Sequence, residues 1–236
     1  IIFSNGLDIN TYDDVPNTKR LTAGTADFIV GLHSFSDDQL LIFNRNSIHT
    51  ITSTINIPQA RTSLVTGEIG CVAKDSIVQV GNNLFFLSDS GIYGASFQDL
   101  YNLRGNDVPL SESINGTINL INRDLWQNSS AVYFDNKYYI AVPLDSLDSN
   151  GNRVKATKNN AVLIYNFINK QWESIDSVSS FDYEKLILAG DGQKRGVYCV
   201  NSFGGVHIFE SRDDATDRIS VDPTASNTIT TQPIES

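Results

Sequence analysis

Histidine is the side chain in this sequence best suited to acid–base chemistry, because its ordinary pKa lies close to physiological pH. The sequence contains three histidines. His49 and His207 occupy the same position of a recurring pattern, and recurrence at an equivalent place favours a structural role over catalysis. His33 has no neighbouring Cys or His to complete a metal site, and the usual zinc-ligand spacings are absent from the sequence.

Paired carboxylates are the second candidate chemistry, since glycoside hydrolysis uses two carboxyl groups. Acidic pairs occur at Asp13–Asp14, Asp37–Asp38 and Asp213–Asp214. Each pair lies in a predicted turn or tail, where Asp commonly stabilises the turn itself. Turn formation is therefore the favoured interpretation of all three pairs.

The segment Asp148–Asn152 resembles the centre of a calcium loop. In such a loop the first ligand position would hold Ser146, and the twelfth position, where the bidentate Glu belongs, would hold Thr157. Neither residue can supply the required carboxylate. The segment is predicted to be a polar hairpin tip.

Two further kinds of motif carry no predicted chemistry. Gly190–Gly192, followed by Lys194 and Arg195, lacks the Gly-Lys-Ser/Thr ending of a phosphate loop. Asn115–Thr117 and Asn128–Ser130 match the glycosylation sequon, but the sequence shows no secretory context. The sequence therefore predicts no catalytic residue, no metal ligand and no cofactor, and we expect a protein that is not an enzyme.

These side chains are positioned by a pattern that recurs along most of the chain. Three or four apolar residues are followed by a polar turn and then by a strand that alternates apolar with polar residues. The copies begin at Ile1, Leu40, Leu84, Val162 and Val197. The second position of the alternating strand holds Asp8, His49, Tyr93, Glu173 and His207. Most intervals between copies approximate the roughly 40 to 50 residues of a β-propeller blade.

A short strand and a polar turn precede the apolar strands. The turns at Ser36–Asp38, Gly81–Asn83 and Asp135–Lys137 suit tight hairpins, because Gly, Asn and Asp tolerate positive φ. The repeating unit is then an antiparallel meander of three to four strands. The predicted fold is all-β, a β-propeller-like array of such blades that spans residues 1–210.

Two insertions interrupt the array. Residues 98–126 contain Ile114, Ile118 and Ile121 at helical spacing, which predicts a short inserted helix that Ser111 could cap. Residues 145–160 are predicted to be the long polar hairpin tip. Residues 211–236 are rich in Ser, Thr, Asp and Pro and are predicted to be an extended polar arm or the start of another domain.

The composition limits the classes of partner. Hydrophobic residues make up 40% and charged residues 19%, as in a folded domain, and the net charge of −10 argues against gripping nucleic acid. No apolar run approaches the roughly 20 residues of a membrane span.

Cys71 and Cys199 lie in apolar strand-like sequence and are predicted to be buried free thiols. Because the chain lacks Met and begins within a strand pattern, we expect it to be a segment of a longer polypeptide.

Several stretches between Asp27 and Glu210 resemble the β-propeller part of the tail nozzle proteins, also called tail tubular proteins B, of short-tailed bacteriophages. They are Leu40–Ile48, Gly70–Ile77 with Leu84–Tyr93, Tyr138–Pro143, and Val162–Asn166 with Gln171–Trp172. The resemblance implies a structural virion protein, assembled in the host cytoplasm, with six copies in a ring around the tail axis. It also implies a tail adaptor and tail fibres as neighbours, and a lumen through which DNA passes without specific binding.

Two other functions remain open at the level of sequence. A receptor- or glycan-binding propeller would bring exposed aromatic side chains together with Asn and Asp at one rim. A glycosidase-type hydrolase would need two carboxyl groups at one of the separations that retaining or inverting chemistry requires.

Overall fold

The computed structural model describes residues 10–11, 18, 21, 26–54, 59–99, 102–105, 108–178, 181–190, 195–211 and 229–233. The repeat copy at Ile1, the acidic pairs Asp13–Asp14 and Asp213–Asp214, and Asp191 to Lys194 lie outside these residues. Within the part of the chain so described, no helix is long and apolar enough to cross a membrane.

The described chain is all-β and consists mainly of four antiparallel sheets that follow one another in the sequence. The first sheet has the order β1-β2-β3-β4, formed by Ile29–Ser36, Gln39–Asn44, Ile48–Thr52 and Arg61–Thr66. The second sheet has the order β5-β6-β7-β8, formed by Val78–Val80, Asn83–Ser88, Gly91–Asp99 and Asn102–Gly105.

The third sheet has five strands and contains a small hairpin in one of its connections. Its order is β9-β10-β13-β14-β18, formed by Ser130–Phe134, Lys137–Val142, Ala161–Asn166, Gln171–Val178 and Ile229–Pro233. The hairpin pairs β11 (Ser146–Leu147) with β12 (Arg153–Val154). The fourth sheet has the order β15-β16-β17, formed by Lys185–Ala189, Gly196–Val200 and Val206–Ser211.

The predicted hairpin turns are confirmed, and their chemistry explains them. Asp135 and Asn136 have φ angles of 46° and 61°, and Gly81 has a φ of 59°. These left-handed conformations match the twist of the flanking strands and favour Asn, Asp and Gly. The turn at Asp37 and Asp38 joins β1 to β2 and is exposed.

The hydrophobic cores lie between consecutive sheets. Side chains alternate between the faces of a strand, so a strand between two other sheets contributes to two cores. In β6, Phe86 packs toward the first sheet while Phe85 packs toward the third. In β10, Tyr138 packs toward the second sheet while Tyr139 packs toward the fourth. This burial on both faces confirms the interpretation of the continuous apolar runs.

One copy of the predicted repeat occupies a different strand position in its sheet from the other copies. The apolar runs at Leu40, Leu84 and Val197 form second strands of their sheets, whereas the run at Val162 forms β13, a third strand. His49, Tyr93 and His207 each pair with the fourth residue of the second strand, so their equivalence is confirmed. The assignment of Glu173 to the same position is wrong, because Glu173 lies in the fourth strand of its sheet, β14. The long connection after β10 hides the true second-to-third strand connection, and the later β13–β14 turn has a similar sequence pattern.

The inserted helical segment is shorter than the helical spacing predicts. A 3-10 turn at Glu112–Ile114 leads into α1, the four residues Asn115–Ile118. The predicted capping by Ser111 is wrong: its Oγ accepts a hydrogen bond from the backbone N–H of Ile92 at 3.0 Å. Residues at the start of the predicted insertion 98–126 form the end of β7 and the edge strand β8.

Candidate interaction surface formed by the two insertions

The two predicted insertions meet at one end of the sheets. This end carries the β2–β3, β6–β7, β10–β13 and β16–β17 connections, and we call it the insertion end. Ile121 forms a β-bridge with Leu144, and the backbone N–H of Asp145 donates to the carbonyl of Leu120 at 2.9 Å. The segment after α1 is thereby joined to the connection that contains the β11–β12 hairpin.

A buried carboxylate holds the base of that hairpin. The Asp145 side chain is 1% exposed, and its Oδ2 accepts from Arg153 Nε at 2.5 Å. Its Oδ1 accepts from the backbone N–H of Ala156 at 2.7 Å, while Arg153 Nη2 donates to the Ile121 carbonyl at 3.3 Å. Since a buried charge is tolerated only when it is paired and hydrogen-bonded, Asp145 fixes the hairpin against the helical insertion.

The predicted polar hairpin tip is confirmed, and its carboxylate is occupied by the loop itself. Asp148 Oδ1 accepts from the backbone N–H groups of Asn150 and Asn152, each at 2.8 Å. Asp148 Oδ2 accepts from Asn152 Nδ2 at 3.1 Å. Hydrogen bonds from Asn152 hold the pKa of Asp148 below its usual value. These contacts are those of a turn-forming Asp rather than a calcium ligand.

A tryptophan links the insertion to the turns of the first two sheets. The Arg45 guanidinium lies 4.8 Å from the ring centroid of Trp126, and the Arg123 guanidinium lies 5.4 Å from it. Arg45 Nη1 is 3.9 Å from Asp89 Oδ2, and Arg123 Nη2 donates to the Asp89 carbonyl at 3.5 Å. Cation–π contacts of this kind contribute about 0.5–1 kcal/mol each at exposed sites.

A second buried carboxylate connects the insertion to the fourth sheet. The Asp182 side chain is 2% exposed and lies 3.1 Å from Lys158 Nζ. It also accepts from Ser202 N at 2.9 Å and from Ser202 Oγ at 3.2 Å. Burial alone would raise the pKa of Asp182, but the hydrogen bonds from Ser202 and Lys158 outweigh it and hold this pKa below its usual value.

The structure brings a Ser, a His and an Asp together around His49. Ser47 Oγ lies 2.5 Å from Asp27 Oδ2 and 3.2 Å from His49 Nε2. In a catalytic triad the imidazole lies between the hydroxyl and the carboxylate, whereas here the carboxylate bonds the hydroxyl directly. Ser47 is also buried and accepts from Asn44 Nδ2 at 3.0 Å. Burial lowers the pKa of His49, with Asp27 opposing this effect, so the ring is neutral at pH 7 and closes the β2–β3 turn.

The other histidines also serve local structure. His207 Nε2 lies 3.3 Å from Asn201 Nδ2, and Asn201 Oδ1 accepts from the backbone N–H groups of Phe203 and Gly205 at 3.2 and 2.7 Å. His33 Nε2 lies 3.1 Å from Gln79 Oε1. In the described ranges, no group of three or more His, Cys, Asp or Glu residues could hold a metal ion.

The remaining sequence candidates lie apart from one another. Cys71 and Cys199 are buried free thiols, as predicted. The sequon residues are both exposed: Asn115 begins α1, and Asn128 ends the 3-10 turn Trp126–Asn128. Sequence reasoning assigned no role to Asp145, Asp182 or Trp126. The signal that could have pointed to the two aspartates is a charged residue inside otherwise apolar or strand-flanking sequence, at Val142–Asp145 and Phe181–Tyr183.

Comparisons with known proteins add no identification. No model of a known protein family matches this chain. A search of curated proteins likewise finds no match.

Proposed function

We propose that this chain is a structural module of a short-tailed bacteriophage tail, a nozzle or tail-tube component that forms part of a ring around the DNA ejection channel. The observation that carries the proposal is the insertion end, where two segments distant in sequence are hydrogen-bonded into one surface. Its buried carboxylates are bonded to backbone and cations, which suits a rigid contact platform. A reaction site would instead hold a base beside an accessible nucleophile.

The arrangement of the sheets supports a β-propeller-like array. Consecutive sheets pack face to face in chain order, with one core in each of the three gaps between them. The first strands approach one another, since β9 packs against both β5 and β15. The fourth strands of the first two sheets, β4 and β8, are also in contact. In a propeller, first strands line the axis and last strands lie at the rim.

The partners follow from this assignment. The protein forms a homo-oligomeric ring, six copies by resemblance, and the insertion end contacts the tail adaptor, the tail fibres or the next copy in the virion. The net charge of −10 suits a channel wall past which DNA slides, because like charges repel and the 27 Asp and Glu residues outnumber the 17 Lys and Arg residues that could retain the phosphates.

The exposed apolar residues of the β11–β12 hairpin allow a direct test. Leu147 is 60% exposed and Val154 is 49% exposed. In the full-length protein, the double substitution Leu147→Asp and Val154→Asp should abolish the ring in mass photometry or its incorporation into tails, with an unchanged circular dichroism spectrum. Ile168, 72% exposed at the opposite end, supplies the matched control Ile168→Asp, which should assemble normally.

Two results would overturn the proposal. One is a full-length protein that is monomeric at all concentrations and absent from purified tails. The other is assembly that is insensitive to the hairpin substitutions and to deletion of the hairpin.

The alternative function, a receptor- or glycan-binding module, is favoured by a different observation. At the end opposite the insertion end, aromatic side chains converge with an asparagine and a lysine at a cleft between the second and third sheets.

A further inference from the structure

A cleft of about 250 Å³ opens between the second and third sheets, close to the β5–β6 and β13–β14 turns. Its lining includes Asn83, Phe85, Ser96, Tyr165, Phe167 and Lys170. We propose that this cleft binds a single acidic sugar unit, a pyranose that carries a carboxylate, as found at the ends or branches of an acidic polysaccharide. The inference does not depend on the proposed role in a tail.

The inner wall of the cleft is aromatic. The Phe85 and Phe167 ring centroids are 4.9 Å apart, and the Tyr165 and Phe167 centroids are 5.2 Å apart. Gly94 makes room for this wall, because a Cβ at that position would lie 2.9 Å from the Phe85 ring. Phe85 and Tyr165 are 7% and 6% exposed and form the floor of the cleft, so the half-buried Phe167 is the ring that meets the C–H face of a pyranose. The sugar's hydroxyls stay available for polar groups at the edge.

The mouth of the cleft is polar. Asn83, Ser96 and Lys170 border it. Among the residues that the structure describes, none of these three side chains has a hydrogen-bond or ion-pair partner. Together they offer amide, hydroxyl and ammonium groups to a ligand, which matches the hydroxyls and the carboxylate of an acidic sugar.

Lys170 is the residue that selects an anion. Its φ of 54° lies in the left-handed region, which Gly and Asn adopt readily but which is unfavourable for lysine. The sequence nonetheless places a cation here, in a chain whose net charge is −10. Residues held in disfavoured backbone conformations are concentrated at ligand sites, and a carboxylate would pair with this ammonium group.

The size and charge of the cleft favour a small anionic ligand. Pockets for drug-sized ligands run from about 300 to 1,000 Å³, so a cleft of about 250 Å³ accommodates one sugar ring. A nucleic acid strand would need several cations along its path, and the lining contains a single lysine.

The test uses D-glucuronic acid as the probe, with D-glucose and benzoate as comparison ligands. The Trp172 ring lies 5.3 Å from Tyr165, so its fluorescence reports on the cleft once Trp126 is replaced by Phe. We expect glucuronate to bind with a dissociation constant of about 1 mM, and glucose and benzoate to bind at least about fivefold more weakly.

The variant Lys170→Asn separates binding from folding, because Asn suits a positive φ. It should weaken glucuronate binding about tenfold, leave glucose binding unchanged and keep or raise the melting temperature. The matched control Lys155→Asn removes an exposed lysine at the insertion end and should leave binding unchanged. Absence of glucuronate binding at about 50 mM, benzoate binding as tight as glucuronate, or an unaltered affinity in Lys170→Asn would each overturn the proposal.

Discussion

At the residue scale, the buried polar groups of this protein are bonded chiefly to the turns and connections that they stabilise. Asp145 accepts from a backbone N–H and from Arg153, and Asp182 accepts from Ser202 and Lys158. A buried carboxylate that loses such partners costs several kcal/mol, so these bonds determine where the connections lie. Ser47 also has a structural role, because its hydroxyl donates a hydrogen bond to the Asp27 carboxylate and so stabilises the β2–β3 turn.

The depressed pKa of Asp182 predicts a specific dependence of stability on pH. A group whose folded pKa is below its unfolded value contributes stability above the unfolded pKa and loses it as pH falls through the folded pKa. Asp182→Asn should therefore lower the free energy of unfolding by about 1–3 kcal/mol at pH 7. The difference from the unsubstituted protein should shrink below the ordinary carboxyl pKa of 3.8.

Urea titrations at several pH values measure this difference. Asp37→Asn, in the exposed β1–β2 turn, is the control and should change the free energy of unfolding by less than about 0.5 kcal/mol at any pH. A deficit in Asp182→Asn that is the same at pH 7 and pH 3 would contradict the assignment.

At the scale of elements, the strands and their turns could be predicted and the connections could not. Continuous apolar runs such as Tyr138–Val142 mark strands buried on both faces, and Asp135 with Asn136 marks a hairpin, because each signal is local. Val162–Asn166 forms the third strand of its sheet because a long connection precedes it. The path of that connection is set by Asp145 and Arg153 after folding. The cleft beside Phe167 also could not be predicted, since it joins residues from two sheets.

The connection between β10 and β13 should depend on Asp145 as an anchor. Asp145→Asn keeps the shape but removes the charge that Arg153 pairs with, and we expect a loss of about 1–3 kcal/mol in the free energy of unfolding. Hydrogen exchange should show faster exchange at Ala156 and in the β11–β12 hairpin, with the central strands less affected.

Asp148→Asn is the matched control, because that carboxylate is exposed at the tip of the same hairpin and serves only the loop. Its loss should stay below about 1 kcal/mol. Equal losses for the two variants would mean that the buried ion pair does not anchor the connection.

At the scale of the whole molecule, the sheets are stacked in series and each core joins two neighbours. The second and third sheets each contact a sheet on both sides, whereas the first and fourth sheets each pack against one neighbouring sheet within the described chain; the other face of the first sheet carries a small core of its own around Ile42 and Ile51. The fourth sheet also has three strands, fewer than the others that contribute to the cores. A stack of this kind opens most easily at its least supported member.

The two cysteines report on this order of opening. Both are 0% exposed, and burial raises the pKa of Cys71 to about 11 and that of Cys199 to about 12. Because the thiolate is the reactive form, neither thiol should react with a disulfide reagent at pH 8 until the core around it opens, which lies between the first and second sheets for Cys71 and between the third and fourth for Cys199. Cys199, in the fourth sheet, should react at least about tenfold faster than Cys71, which corresponds to an opening free energy lower by about 1.4 kcal/mol.

Pulsed labelling followed by mass spectrometry of peptides measures both rates in one sample. The single variants Cys71→Ala and Cys199→Ala give each rate alone and serve as controls. Equal rates at all denaturant concentrations would mean that the sheets open as one cooperative unit, and faster labelling of Cys71 would reverse the proposed order.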